Sequence, residues 1–182
     1  MLFNVSRALA RTLSLAFLLT LGLPLAAVPA SAAGEAFASF PGRWTGQGRL
    51  GFKDGKVENV TCRATYFVAA ETGNLTQNIR CASASGKIEV KSNVAEKEGA
   101  LSGTWNELIY NMEGELAGEV TKHGFMVKVK GTGESPLDAT MDLIVKDTKQ
   151  VVEIHFNSTT LLGLTLILDK STSGVQTTEK QQ

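Results

Sequence analysis

From Pro41 onward the chain alternates apolar and polar residues with a period of two, and turn-forming residues interrupt the pattern every eight to twelve positions. That combination restricts the chain to sheet built from short strands, because side chains two apart share a face. The pattern predicts strands over residues 43–52, 57–69, 75–82, 87–94, 101–109, 115–121, 125–131, 138–146, 151–157 and 162–170. Asp54-Gly55, Glu71-Thr72-Gly73-Asn74 and Lys97-Glu98-Gly99 mark the first turns.

Val60, Cys62, Ala64, Tyr66 and Val68 fall on one face of the second strand, and Leu75, Ile79 and Cys81 on one face of the third. Later strands repeat this: Phe125, Val127 and Val129; Leu137, Ala139, Met141, Leu143 and Val145; Val152, Ile154 and Phe156; Leu162, Leu164, Leu166 and Leu168. One apolar and one wet face per strand is the signature of antiparallel sheet. Strands in this number must hide their edges, which a closed up-and-down barrel of about eight to ten strands does completely. A two-sheet sandwich is the alternative.

Cys62 and Cys81 both lie on apolar faces, and the midpoint between them falls inside the single turn that joins their strands. Directly opposed side chains on one sheet face bring Cβ atoms within about 4.5–5.5 Å, close to what a disulfide needs. The N-terminus supplies a compartment for such a bond. Arg7 and Arg11 precede an uncharged apolar run through Leu13, Phe17, Leu18, Leu19, Leu21 and Leu23, and Pro24 and Pro29 then lead to Ala30-Ser31-Ala32. This reads as a cleavable signal peptide over residues 1–32 rather than a membrane anchor. A barrel domain is expected over 33–170 and a polar tail over 171–182. An even pair of cysteines in an exported chain points to one disulfide.

The full chain has 18 basic and 18 acidic residues. Removing residues 1–32 takes away Arg7 and Arg11 and no acid, leaving 16 against 18 and a net charge of −2. That balance provides no electrostatic footprint for nucleic acid or an anionic membrane. Membrane contact is expected only during export.

Gly42-Arg43-Trp44-Thr45-Gly46, Cys62-Arg63-Ala64-Thr65-Tyr66, Gln77-Asn78-Ile79-Arg80-Cys81-Ala82-Ser83 and Leu101-Ser102-Gly103-Thr104-Trp105-Asn106-Glu107 follow in this order, with Gly114 and Gly118 after them. Across residues 41–169 they resemble a family of uncharacterised exported proteins from alphaproteobacteria. The resemblance implies a single periplasmic or secreted domain and brings no catalytic residues. Gly42-Arg43-Trp44 also resembles the G-x-W opening of lipocalins and related calycin barrels. That likeness implies that Trp44 packs across a closed end with Lys170 covering it, making Gly42, Trp44 and Lys170 a structural plug. The second lipocalin signature is absent. A looser likeness links the chain to periplasmic inhibitors of secreted metalloproteases.

The search for catalytic chemistry finds little. His123 falls in a turn and His155 on an outer strand face, neither within a metal-ligand spacing. No nucleophile elbow occurs. Glu107 and Glu115 flank one hairpin and are expected to be solvated rather than paired for acid–base work. Gly46, Gly48 and Gly51 fit strand bends better than a phosphate cradle, since no helix start follows them. Tyr66, Trp105 and Met141 are the candidate ligand-binding residues, and Ala64, Gly103, Ala139 and Gly163 alternate small with large around them. The sequence therefore predicts a non-catalytic periplasmic or secreted module, without metal or cofactor, for a small apolar ligand. The alternative is a protease inhibitor or envelope-protein partner acting through loops and its N-terminal segment.

Overall fold

The computed structural model describes residues 35–133, 137–158 and 160–171. The signal-peptide reading of residues 1–32 and the tail beyond Ser171 lie outside them. A single 3-10 turn, Glu35–Phe37, precedes ten strands: β1 Gly42–Phe52, β2 Val57–Val68, β3 Leu75–Ala82, β4 Lys87–Lys97, β5 Ala100–Glu107, β6 Met112–Thr121, β7 Gly124–Thr132, β8 Asp138–Lys146, β9 Lys149–Asn157 and β10 Leu161–Lys170. Each strand pairs antiparallel with the next, and β1 pairs with β10, so the sheet closes as an up-and-down barrel with no free edge. The sandwich alternative is excluded by that last pairing.

The expected faces are the observed ones along most strands. In β2, Val60, Cys62, Ala64 and Tyr66 are buried while Thr61 and Arg63 face out. Leu162 departs from the expected apolar face and is 53% exposed, beside the register shift at Gly51 and Phe52 where β10 meets β1. Several strand ends also differ, β6 beginning at Met112 rather than 115 and β9 at Lys149 rather than 151. β4 continues to Lys97, and β5 stops at Glu107 instead of Ile109. Glu107 causes the stop: its carboxylate accepts the backbone N–H groups of Ile109 and Tyr110 at 3.0 and 2.6 Å, turning the chain there. Asn111 completes the turn at φ 55°.

The inward glycines of β1 are set by close strand approach. A Cβ on Gly46 would come within 1.9 Å of the Ile167 carbonyl oxygen, and one on Gly48 equally close to that of Thr165. Backbone occupies the place of a side chain, which lets β1 and β10 coil sharply against each other.

Cys62 and Cys81 are register partners, with Cα atoms 4.1 Å apart, and their sulfurs are bonded. The bond lies on the inside of the wall between β2 and β3.

Candidate functional site

The up-and-down order gives the barrel two unlike ends. At one end stand the start of β1 and the hairpins β2–β3, β4–β5, β6–β7 and β8–β9. Trp44 is fully buried there, its Nε1 donating to the Phe40 carbonyl at 2.8 Å. Lys170, its register partner on β10, places Nζ 5.4 Å from the indole centroid and donates to the Ser39 carbonyl at 3.0 Å. Gly42 has φ 121°, a conformation open to glycine. The turn before β1 drives Phe37 and Phe40 into this end. Phe40 stacks on Phe125 at 4.9 Å and meets Tyr66 edge-on at 5.5 Å. The sequence reading missed both phenylalanines, whose only signal is their three-residue spacing just ahead of the G-x-W.

Tyr66 belongs to this plug. It is fully buried and its hydroxyl donates to Gln150 Oε1 at 3.1 Å. Burial pushes the phenol up to about 12, partly offset by that hydrogen bond, so the group stays neutral. The Tyr66 side chain is therefore committed to the closed end.

The other end is a mouth formed by the hairpins β1–β2, β3–β4, β5–β6, β7–β8 and β9–β10. Toward it several inward-facing apolar residues are only partly buried. Leu50, Ile79, Val129, Met141, Ile154 and Phe156 all face inward yet remain half-buried, whereas Leu143, Val152, Leu166 and Leu168 nearer the plug are buried. The mouth half of the inner wall thus carries apolar surface that water partly reaches, beside residues such as Val60, Cys81 and Leu164 that are buried.

Polar groups interrupt this lining in one place. Gln77, Ser92, Trp105, Gly114 and Gly131 are successive register partners across β3, β4, β5, β6 and β7, all on the inward face. Ser92 and Trp105 are 7% and 5% exposed. Neither Ser92 Oγ nor Trp105 Nε1 has a hydrogen-bond partner. The indole lies over Gly114, where a Cβ would come within 2.8 Å of Nε1. Trp105 is buried yet lies outside the contiguous hydrophobic cluster. Gln77 and Ser92 escaped the sequence reading because polar residues on an apolar face break the pattern used to find it.

Two inward-facing carboxylates, Glu58 and Glu107, sit at the mouth. Glu107, expected to be solvated, is 3% exposed and also accepts the Glu89 backbone N–H at 2.9 Å. Glu115 faces outward opposite Lys130. Glu107 and Glu115 lie on opposite faces of the sheet and do not converge. Glu58 accepts from Lys56 Nζ at 2.6 Å, from the Ser85 backbone at 2.9 Å and from the Ser85 hydroxyl. Lys56, then the Ser85 and Ser83 hydroxyls, hold its carboxyl down at about 2. His123 lines a shallow cleft between the plug and the β6–β7 turn, with no acid or thiol among the cleft residues, and His155 is exposed on β9. Among the described residues no three His, Cys, Asp or Glu side chains come together as metal ligands.

A closed ten-strand antiparallel barrel, plugged by aromatic side chains at one end, is the class that this geometry defines. The crystal structure of Rv2717c from M. tuberculosis has the same fold: it superposes with a TM-score of 0.61 at 12% identity, over 78% of this chain and 98% of that one. No protein-family model matches the sequence, and comparison with curated proteins finds no match.

Proposed function

We propose that the protein is a non-catalytic binding module of the periplasm or secreted space that holds one small apolar molecule in the open half of its barrel. The observation that carries this reading is the group of inward-facing apolar side chains toward the mouth, Met141 and Ile154 among them, that stay half-buried beside buried neighbours such as Leu164. Apolar surface left partly open to water is a standing gain for any guest that covers it, at about 25 cal/mol per Å². The closed end supports the reading, since Trp44, Phe37, Phe40 and Tyr66 form a rigid floor that confines a guest to one side. The compartment rests on the N-terminal sequence and on the disulfide, a bond that persists in oxidising surroundings.

The test is titration with the neutral fluorophore N-phenyl-1-naphthylamine. The wild type should bind one equivalent. Ile154→Trp, which adds bulk inside the lumen, should bind much more weakly. Ile167→Glu, on the outer wall, should bind as the wild type does. Equal binding by all three, or none by the wild type, contradicts the reading.

A second reading has one observation in its favour. Leu108, Ile109 and Tyr110 at the β5–β6 tip are 48%, 52% and 57% exposed, a run of large apolar groups suited to a protein partner. The N-terminal segment expected to serve an inhibitor does not support it, because residues 35–40 fold into the plug.

A further inference from the structure

Between Glu58 and Glu107 at the mouth and the aromatic plug, no inward position among the described residues carries a charged side chain. The hydrogen-bonding side chains there form one strip: Gln77, Ser92 and Trp105, adjacent on β3, β4 and β5. Opposed side chains on one sheet face stand roughly 4.5–5.5 Å apart at Cβ, but Trp105 Nε1 lies over Gly114, on the side away from Ser92, so one group meets both donors only once the indole swings toward β4. Ser92 Oγ and Trp105 Nε1 are withdrawn from water without a partner. An unmatched buried donor is a cost that folded proteins carry rarely. Gly114 and Gly131 continue the rung without side chains, leaving the indole free to tilt from its seat over Gly114.

We infer that the lumen selects an uncharged amphiphile, an apolar body bearing one acceptor oxygen such as a ketone, ester or amide carbonyl, whose oxygen is taken by Ser92 Oγ–H and Trp105 Nε1–H. The indole N–H can only donate, which fixes the guest's group as an acceptor. An anionic group is disfavoured, because the strip offers no cation and both mouth carboxylates are acidic neighbours. Gln77, half-buried at the edge of the strip, turns its amide to either kind of oxygen or N–H as the guest requires. This inference rests on the lumenal reading above and specifies its ligand.

The experiment displaces N-phenyl-1-naphthylamine from the folded protein with three probes of equal chain length, 2-octanone, 1-octene and octanoate, in the wild type and in Ser92→Ala. Comparing each probe with itself across the two proteins removes its own partition from water. One lost hydrogen bond should weaken 2-octanone about fivefold in Ser92→Ala, with 1-octene changed less than twofold. Octanoate should displace the dye more weakly than 2-octanone in both proteins. Trp105→Phe should repeat the selective loss of 2-octanone. A Ser92→Ala change that shifts 2-octanone and 1-octene by the same factor, or neither, overturns the inference while dye binding leaves the lumenal reading standing. Octanoate displacing the dye better than 2-octanone overturns it too. Absence of dye binding in the wild type removes both.

Discussion

Lys170 and Trp44 are register partners on the two strands that close the barrel, and the ammonium of one stands 5.4 Å from the indole centroid of the other. The contact ties the last strand of the domain to the first at the point where the floor of the barrel is laid. The two partners differ in what they contribute. Trp44 is fully buried, whereas Lys170 keeps its charge near water and lays its stem along Gly42.

Trp44→Ala should therefore cost about 3–5 kcal/mol, as large aromatic deletions from a core do. Lys170→Ala should cost about 1 kcal/mol, from one partly exposed cation–π contact and one hydrogen bond to Ser39. Urea unfolding of the two variants checks this. Equal midpoints for Trp44→Ala and the wild type would mean that the closed end does not depend on its tryptophan.

The disulfide spans 19 residues in sequence. Closing a loop of that size should stabilise the domain by roughly 3 kcal/mol in the chain-entropy model. A Cys62→Ser, Cys81→Ser double variant should unfold at correspondingly lower urea. Labelling of the denatured, unreduced wild type with a thiol reagent should find no free thiol, and two labels per chain would contradict the pairing.

Much of this was legible in the sequence, for a physical reason. Period-two alternation is imposed by burial on one face, so Val60, Cys62 and Ala64 announce their side of the wall without knowledge of the neighbours. Closure is different. It depends on β1 finding β10 more than a hundred residues away, and no local pattern distinguishes that from two packed sheets. The end of β5 was misplaced because a side-chain carboxylate, Glu107, competes for backbone N–H groups that hydropathy assigns to a longer strand. Phe37 and Phe40 were overlooked since one 3-10 turn is too short to show a period. Ser92 and Gln77 were passed over as breaks in an apolar face, although such breaks are where a binding wall differs from a core.

Glu58 makes stability depend on acid pH in a definite direction. Its carboxyl is held at about 2 in the folded barrel against an ordinary value of 4.5. The unfolded chain thus takes up a proton first as pH falls. The stabilisation is complete above about 4.5 and is lost progressively down to about 2. Glu58→Gln should be less stable than the wild type near neutrality and should lose less on going to about pH 2. Urea midpoints of both proteins across that range test it, and parallel curves would show that Lys56 and Ser85 do not hold the group as described.

The central claim is that the open half of the barrel is an apolar space rather than a filled core. Crystals of the protein pressurised with xenon test it most directly, because xenon collects in apolar spaces and leaves packed interiors empty. The account predicts xenon density inside the barrel, in contact with Val129, Met141 and Ile154. An interior free of xenon, with those three side chains packed against the opposite wall, would contradict it.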